Sequence, residues 1–181
     1  MTNGSRTIRY LLFDWGDTLM RDFPEYTGPM ASWPTVETIP HAREVLAGLC
    51  GRWKLALATN AADSDEEEIR AALHRGGLNR FLDRIYCYRK IGHRKPSQKF
   101  FAFIKDDLGL GPECLIMVGD HFETDVLGAN RAGLRSIWLN EHSDEVREGD
   151  MHQTIHDFRA LPRALQRWES VELSVGKAPA R

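Results

Sequence analysis

The sequence predicts an α/β chain: a parallel sheet with helices on both faces. Three observations predict it. Five short apolar runs read as buried strands, helical patterns lie between them, and polar or glycine-containing segments bound each run. Strands that alternate with helices in this way form parallel sheets, whose strands are apolar on both faces.

The first run, Ile8 to Phe13, ends in Asp14. Ala42, Val45, Leu46 and Leu49 share one helical face, and Gly51 follows as a stop. Leu55 to Ala58 is the second strand, and the helix over Asp65 to Leu73 ends before Gly76-Gly77. Ile85 to Tyr88 is the third strand. Phe100, Phe103, Ile104 and Leu108 then form an apolar stripe, with Pro96 near its start and Gly109 after it. Leu115 to Val118 is the fourth strand, and the helix Glu123 to Ala132 stops at Gly133. Ser136 to Leu139 is the fifth, a weaker sixth lies near Thr154 and Ile155, and Leu161 to Trp168 closes the pattern as a helix.

Two stretches fall outside this rhythm. Residues 21–40 contain four prolines and no helical period, and read as an extended loop carrying Phe23, Tyr26 and Trp33. Residues 170–181 contain Gly, Pro and Ala and read as a flexible tail, leaving 1–169 as one domain.

The chain's 181 residues are enough to bury a core without disulfide or metal support. Twenty-four Lys plus Arg against 26 Asp plus Glu give a net charge of −2, which argues against a strongly basic nucleic-acid binder. Cys50, Cys87 and Cys114 form no CxxC pair, so neither a disulfide framework nor a zinc knuckle is indicated. The first apolar run is too short for a signal peptide, and nothing approaches the ~20 apolar residues of a membrane span. A cytoplasmic protein is expected.

In parallel sheets ligands bind at the carboxyl ends of strands, so the polar residues after each run are the candidates. Asp14-Trp15-Gly16-Asp17-Thr18 follows the first, Thr59-Asn60 the second, and Gly119-Asp120 the fourth, with Asp125 five residues on. Lys95 precedes the third helical pattern's Pro96 on the same rim. Carboxylates in this number make an oxygen-rich pocket for Mg²⁺. A hydroxyl, backbone N–H groups and one lysine can hold phosphoryl oxygens. Metal and lysine together cancel the repulsion between an attacking carboxylate and a phosphate dianion. Each piece also has a plain structural reading. Asp120 with Glu123, and Asp63 with Glu66, match capping boxes. Lys95-Pro96 suits a helix start, and Thr59-Asn60 suits any turn.

Jointly and in order, these residues resemble the haloacid dehalogenase-like (HAD) hydrolase superfamily. The resembling text is Leu11-Leu12-Phe13-Asp14-Trp15-Gly16-Asp17-Thr18-Leu19, Leu57-Ala58-Thr59-Asn60 and Arg94-Lys95-Pro96. The fourth and most specific piece is Met117-Val118-Gly119-Asp120-His121-Phe122-Glu123-Thr124-Asp125-Val126-Leu127-Gly128-Ala129, followed by Ala132-Gly133. The resemblance implies a Rossmann-like core with Asp14 as nucleophile. It implies Mg²⁺ at Asp14, the Gly16 carbonyl and Asp120, with Asp125 supporting, and a phosphoryl group at Thr59, Asn60 and Lys95. The order Asp, Thr, Lys, Asp excludes a receiver domain. The implied activity is phosphomonoester hydrolysis through an aspartyl phosphate; the alternative is a phosphate- or Mg²⁺-binding module with little turnover.

One departure stands out. The family's phosphatases usually read Asp-x-Asp-Gly-Thr, the second Asp serving as acid and base. Here that position is Gly16, and the acid stands one place later at Asp17, with His121 as a further candidate. Branches that lack the second Asp, the dehalogenases and phosphonatases, use a sizeable cap domain. No segment here is long enough for one, so a capless member is expected, open to a large phosphorylated substrate and compatible with an oligomer.

Overall fold

The computed structural model describes residues 9–175, and side chains as far as Trp168. Six strands form one sheet: β1 (Tyr10–Phe13), β2 (Lys54–Ala58), β3 (Arg84–Tyr86), β4 (Leu115–Gly119), β5 (Arg135–Leu139) and β6 (His152–Ile155). Their order is β3-β2-β1-β4-β5-β6, and every neighbouring pair is parallel. The order reverses between β1 and β4, where such sheets open a crevice at the strands' carboxyl ends.

Alternation along the strands builds two cores. Leu11, Phe13, Ile116 and Val118 face one side, toward α1 (Ala42–Leu49), α2 (Glu66–Arg75) and α6 (Leu161–Val175). Leu12, Ala56, Ala58 and Met117 face the other and pack on Phe100, Phe101 and Ile104 of a helix over Gln98–Leu108. Successive side chains of a strand point to opposite faces, so a run that is apolar throughout must be covered on both.

The helix ends follow capping chemistry, with corrections to the expected boundaries. The capping box is Asp65 with Glu68 rather than Asp63 with Glu66: the Glu68 backbone N–H donates to Asp65 at 2.9 Å, and the Asp65 N–H to Glu68 at 2.9 Å. The third strand stops at Tyr86, because Cys87 is already the N-cap of a short helix α3 (Tyr88–Ile91), accepting from the Lys90 and Ile91 N–H groups. Helix α4 (Gln98–Leu108) is capped by Ser97, so Lys95 and Pro96 stand just before it. The segment after β4 is not one regular helix. It begins as a π-helical turn over Phe122–Leu127 and becomes α5 (Gly128–Arg131). The last helix runs on to Val175, seven residues past Trp168; residues 1–8 and 176–181, including Ile8 and the end of the expected tail, lie outside the described residues.

The segment from 21 to 40 is a loop with one 3₁₀ turn, Met30–Ser32. Arg75, at the end of α2, fastens it by donating to the carbonyls of Ala31 at 2.8 Å, Trp33 at 2.7 Å and Pro34 at 3.2 Å. Trp33 packs against Tyr26, with ring centroids 5.5 Å apart, and donates its indole N–H to Gly28 O at 3.0 Å. Phe23 lies 5.4 Å from Tyr26 by ring centroids, so the three aromatics form one cluster. Among the described residues no helix is long and apolar enough to cross a membrane.

Candidate functional site

Asp14 extends β1, its N–H donating to Val118 O at 2.9 Å, and Asp120 follows β4 directly. The sheet reversal therefore brings these two carboxylates to one crevice. Asp125 reaches the same place from the π-helical turn. Carboxylate oxygens of Asp14, Asp120 and Asp125 all lie within 4.8 Å of one another.

Lys95 is the cation inside this cluster. Its Nζ donates to Asp14 Oδ1 at 2.6 Å and to Asp125 Oδ1 at 2.7 Å, with the Lys95 side chain only 1% exposed. Burial alone would push the Lys95 ammonium down; the charges of Asp125 and Asp14 outweigh it and raise its pKa. Asp14 is held above the ordinary carboxylate range. Burial raises it, the Lys95 charge opposes, and the charges of Asp125 and Asp120 raise it further. Asp120 is also raised, by burial and then by Asp125.

The surrounding bonds give the carboxylates different tasks. Asp125 has both oxygens engaged: Oδ1 with Lys95, Oδ2 with the His121 N–H at 3.1 Å. It holds the lysine and the start of its own turn. Asp14 and Asp120 each bond through Oδ1, the latter accepting from Thr18 Oγ1 at 3.1 Å. Thr18 Oγ1 also accepts from the Asp120 N–H at 3.1 Å, so the first and fourth motifs are tied together. Gly119 permits this crowding. A Cβ there would lie 2.5 Å from Asp125 Cγ, a distance real Cβ atoms do not show.

Thr59 is 4% exposed and lines the cleft, its Oγ1 accepting from the Ala61 N–H at 3.1 Å. Asn60 also lines the cleft, but both ends of its amide are engaged on the Lys95 backbone: Nδ2 donates to Lys95 O at 3.0 Å, and Lys95 N–H donates to Oδ1 at 2.8 Å. These two bonds fix the Lys95 backbone in place. His121, not Asp120, is the N-cap of the π-helical turn, with Nδ1 accepting from the Thr124 N–H at 3.4 Å. The capping-box reading of Asp120 is therefore not realised.

Asp17 adopts a left-handed conformation, φ 48°, and its Oδ1 accepts from the Asp22 N–H at 3.1 Å with Arg21 at 3.5 Å. Asp22 was not among the residues expected from sequence. It lines the cleft beside Gly16, and its carboxyl is raised by partial burial and by the Asp17 charge. The cleft holds about 430 Å³, with Met30 and Trp33 of the loop on one wall.

A buried lysine between two carboxylates, with a third acid adjoining, suits one hard divalent cation and one phosphoryl group. The donors are all oxygen, the set Mg²⁺ prefers. A cation there would also relieve the repulsion that raises Asp14 and Asp120.

Known proteins share both the sequence pattern and the fold. Pyrimidine 5'-nucleotidase YjjG of Escherichia coli (strain K12) is 34% identical over 112 residues, 61% of this chain and 48% of that protein. Phosphoserine phosphatase of Thermus thermophilus is 32% identical over 108 residues, 55% of this chain and 42% of that protein. The chain thus spans less than half the length of these relatives. A solved structure of an uncharacterized protein from Listeria monocytogenes serotype 4b is similar at a TM-score of 0.77 and 28% identity, covering 90% of this chain and 99% of that one. A HAD phosphatase from Thermococcus onnurineus is similar at a TM-score of 0.61 and 26% identity, covering 72% and 59%. A family model for haloacid dehalogenase-like hydrolases matches residues 3–139, a span that holds all four motifs and every side chain of the crevice, and the chain belongs to that family.

Proposed function

We propose that this chain is a Mg²⁺-dependent phosphomonoester hydrolase that works through an aspartyl phosphate. The observation that carries the reading is Lys95 Nζ at 2.6 Å from Asp14 and 2.7 Å from Asp125, beside Asp120. A carboxylate so placed is a nucleophile in waiting, with a cation able to shield it from an incoming phosphate. The phosphatases and nucleotidase among its relatives support the same chemistry.

Asp14 attacks the phosphorus through the oxygen not committed to Lys95. Lys95 takes a phosphoryl oxygen as it does so, and the Thr59 hydroxyl takes another. Asn60 keeps Lys95 aimed, and Asp125 keeps it charged. Asp14, Asp120 and the Gly16 carbonyl, with Asp125 supporting, would hold Mg²⁺, which would supply charge neutralisation at the transferring group. The loop from 21 to 40 forms a fixed wall rather than a cap, which leaves room for a large leaving group.

The deciding measurement is phosphate release from a panel of phosphomonoesters with Mg²⁺ and with chelator. Release that requires Mg²⁺ is expected. No release from any ester would leave a binding module. The metal site has its own test. Mg²⁺ should raise the melting temperature, because it binds the native crevice and not the unfolded chain. Asp120→Ala should remove most of that increment, and an unchanged increment would move the metal elsewhere.

A further inference from the structure

Breaking an alkyl phosphate leaves an alkoxide, which departs slowly unless it receives a proton. A general acid typically contributes about 10²–10⁴-fold there. Gly16, two residues beyond the nucleophile, has no side chain to give one. The cleft-lining acids near it are Asp17, Asp22 and His121. Asp17 is turned into its own loop: its Oδ1 accepts from the Asp22 N–H at 3.1 Å and its backbone N–H donates to Met20 O at 2.7 Å. His121 caps the π-helical turn through Nδ1.

Asp22 also accepts a backbone bond, from the Phe23 N–H, but its carboxyl lies on the Gly16 side of the loop. Its Oδ2, Cβ and Cγ stand 3.4, 3.5 and 3.6 Å from where a Cβ on Gly16 would be. Its carboxyl therefore borders the place from which a side chain at position 16 would start, though it arrives from the loop. That placement is braced. Gly16 bridges to Met20 and Met20 to Thr38, and the Arg21 N–H donates to Glu37 O at 2.8 Å. Asp22 is exposed at the mouth of the cleft, so it can exchange protons with water between turnovers.

We propose that Asp22 is the acid and base of this site, delivering from the loop the carboxyl that Gly16 lacks. The assignment rests on the phosphohydrolase reading. As Asp14 forms its bond to phosphorus, the P–O bond to the leaving group breaks, and the Asp22 proton passes to the departing oxygen. The Asp22 carboxylate then takes a proton from water as that water attacks the aspartyl phosphate. Inorganic phosphate leaves, and Asp14 and protonated Asp22 are restored.

The test compares kcat/KM for glycerol phosphate and acetyl phosphate in the presence of Mg²⁺. This quantity covers only the steps through leaving-group departure, so the later role of Asp22 as base does not enter. Asp22→Asn should lower the value for glycerol phosphate about 10²-fold or more, and that for acetyl phosphate, a good leaving group, less than about threefold. Moving the carboxyl back, in Gly16→Asp with Asp22→Asn, should restore glycerol phosphate turnover; the new Cβ meets residue 22 at ordinary contact distance. Circular dichroism and the Mg²⁺ melting increment check that both variants are intact. Equal loss on both substrates, no loss on either, or a larger glycerol-selective loss in Asp17→Asn or His121→Ala would overturn the assignment alone. No turnover of either substrate, nor of any phosphomonoester in the wider panel, by the unaltered protein would overturn the phosphohydrolase reading and the assignment with it.

Discussion

Lys95→Met should cost about 3–5 kcal/mol of stability in the metal-free protein, the loss typical of removing one partner from a buried ion pair. Methionine matches the length of the stem but leaves Asp14 and Asp125 facing each other without the ammonium between them. Asp125 is 1% exposed, so its charge is poorly solvated once the lysine is gone. The loss should depend on pH in a definite direction. Buried, unpartnered carboxyls have raised folded pKa values, so protonation relieves them at low pH and the penalty grows as pH rises through those values. Chemical denaturation at pH 5 and pH 8 measures this. A penalty under about 1 kcal/mol at pH 8 would mean that the pocket relaxes around the missing charge. Mg²⁺ should recover part of the loss by supplying positive charge to the same oxygens.

Asp14→Asn should abolish turnover while sparing the fold. The amide keeps the shape of the carboxyl, and its oxygen can still accept from Lys95. It no longer carries the charge that attacks phosphorus. Loss of at least about 10⁴-fold in phosphate release is expected, against the ~10⁶-fold lost when the nucleophile of a covalent hydrolase is deleted. The melting temperature should stay near that of the unaltered protein, and no phosphoryl group should remain on the chain after acid quench. More than a tenth of the original rate in a clean preparation would place the nucleophile elsewhere.

The sheet was legible because its central strands are buried on both faces. Leu11-Leu12-Phe13 and Leu115 to Val118 have no polar residue to interrupt them. β6 was fainter for the same reason in reverse: it lies at the edge with alternating burial, and His152 and Thr154 break the apolar run. Asp14, Thr59, Lys95 and Asp120 were legible because strand ends and motif order announce them. Asn60 was legible as a cleft residue, but its two bonds to the Lys95 backbone were not, since bonding to another residue's backbone leaves no trace in spacing. Asp22 was invisible. It belongs to no periodic element, and only the folded turn through Met20 and Thr38 brings it beside Gly16. The end of the third strand at Tyr86 was misplaced because Cys87 and Tyr88 suit a strand by residue type, while local backbone bonds to Cys87 O favour a helical turn.

Two of the bonds that tie the crevice together join distant parts of the chain. Lys95 reaches Asp14 across 81 residues, and Thr18 meets Asp120 across 102. Loops of that length close late, since their entropy is lost before any contact repays it. Strand β1 must be flanked by both β2 and β4 before the carboxylates share a crevice, and β4 is among the later elements synthesised. The three-carboxylate cluster is therefore a product of completed topology rather than of local structure. A nascent chain that ends before Gly119 carries Asp14 and Lys95 but neither Asp120 nor Asp125, and the carboxylate cluster assembles only when the fourth strand inserts beside the first.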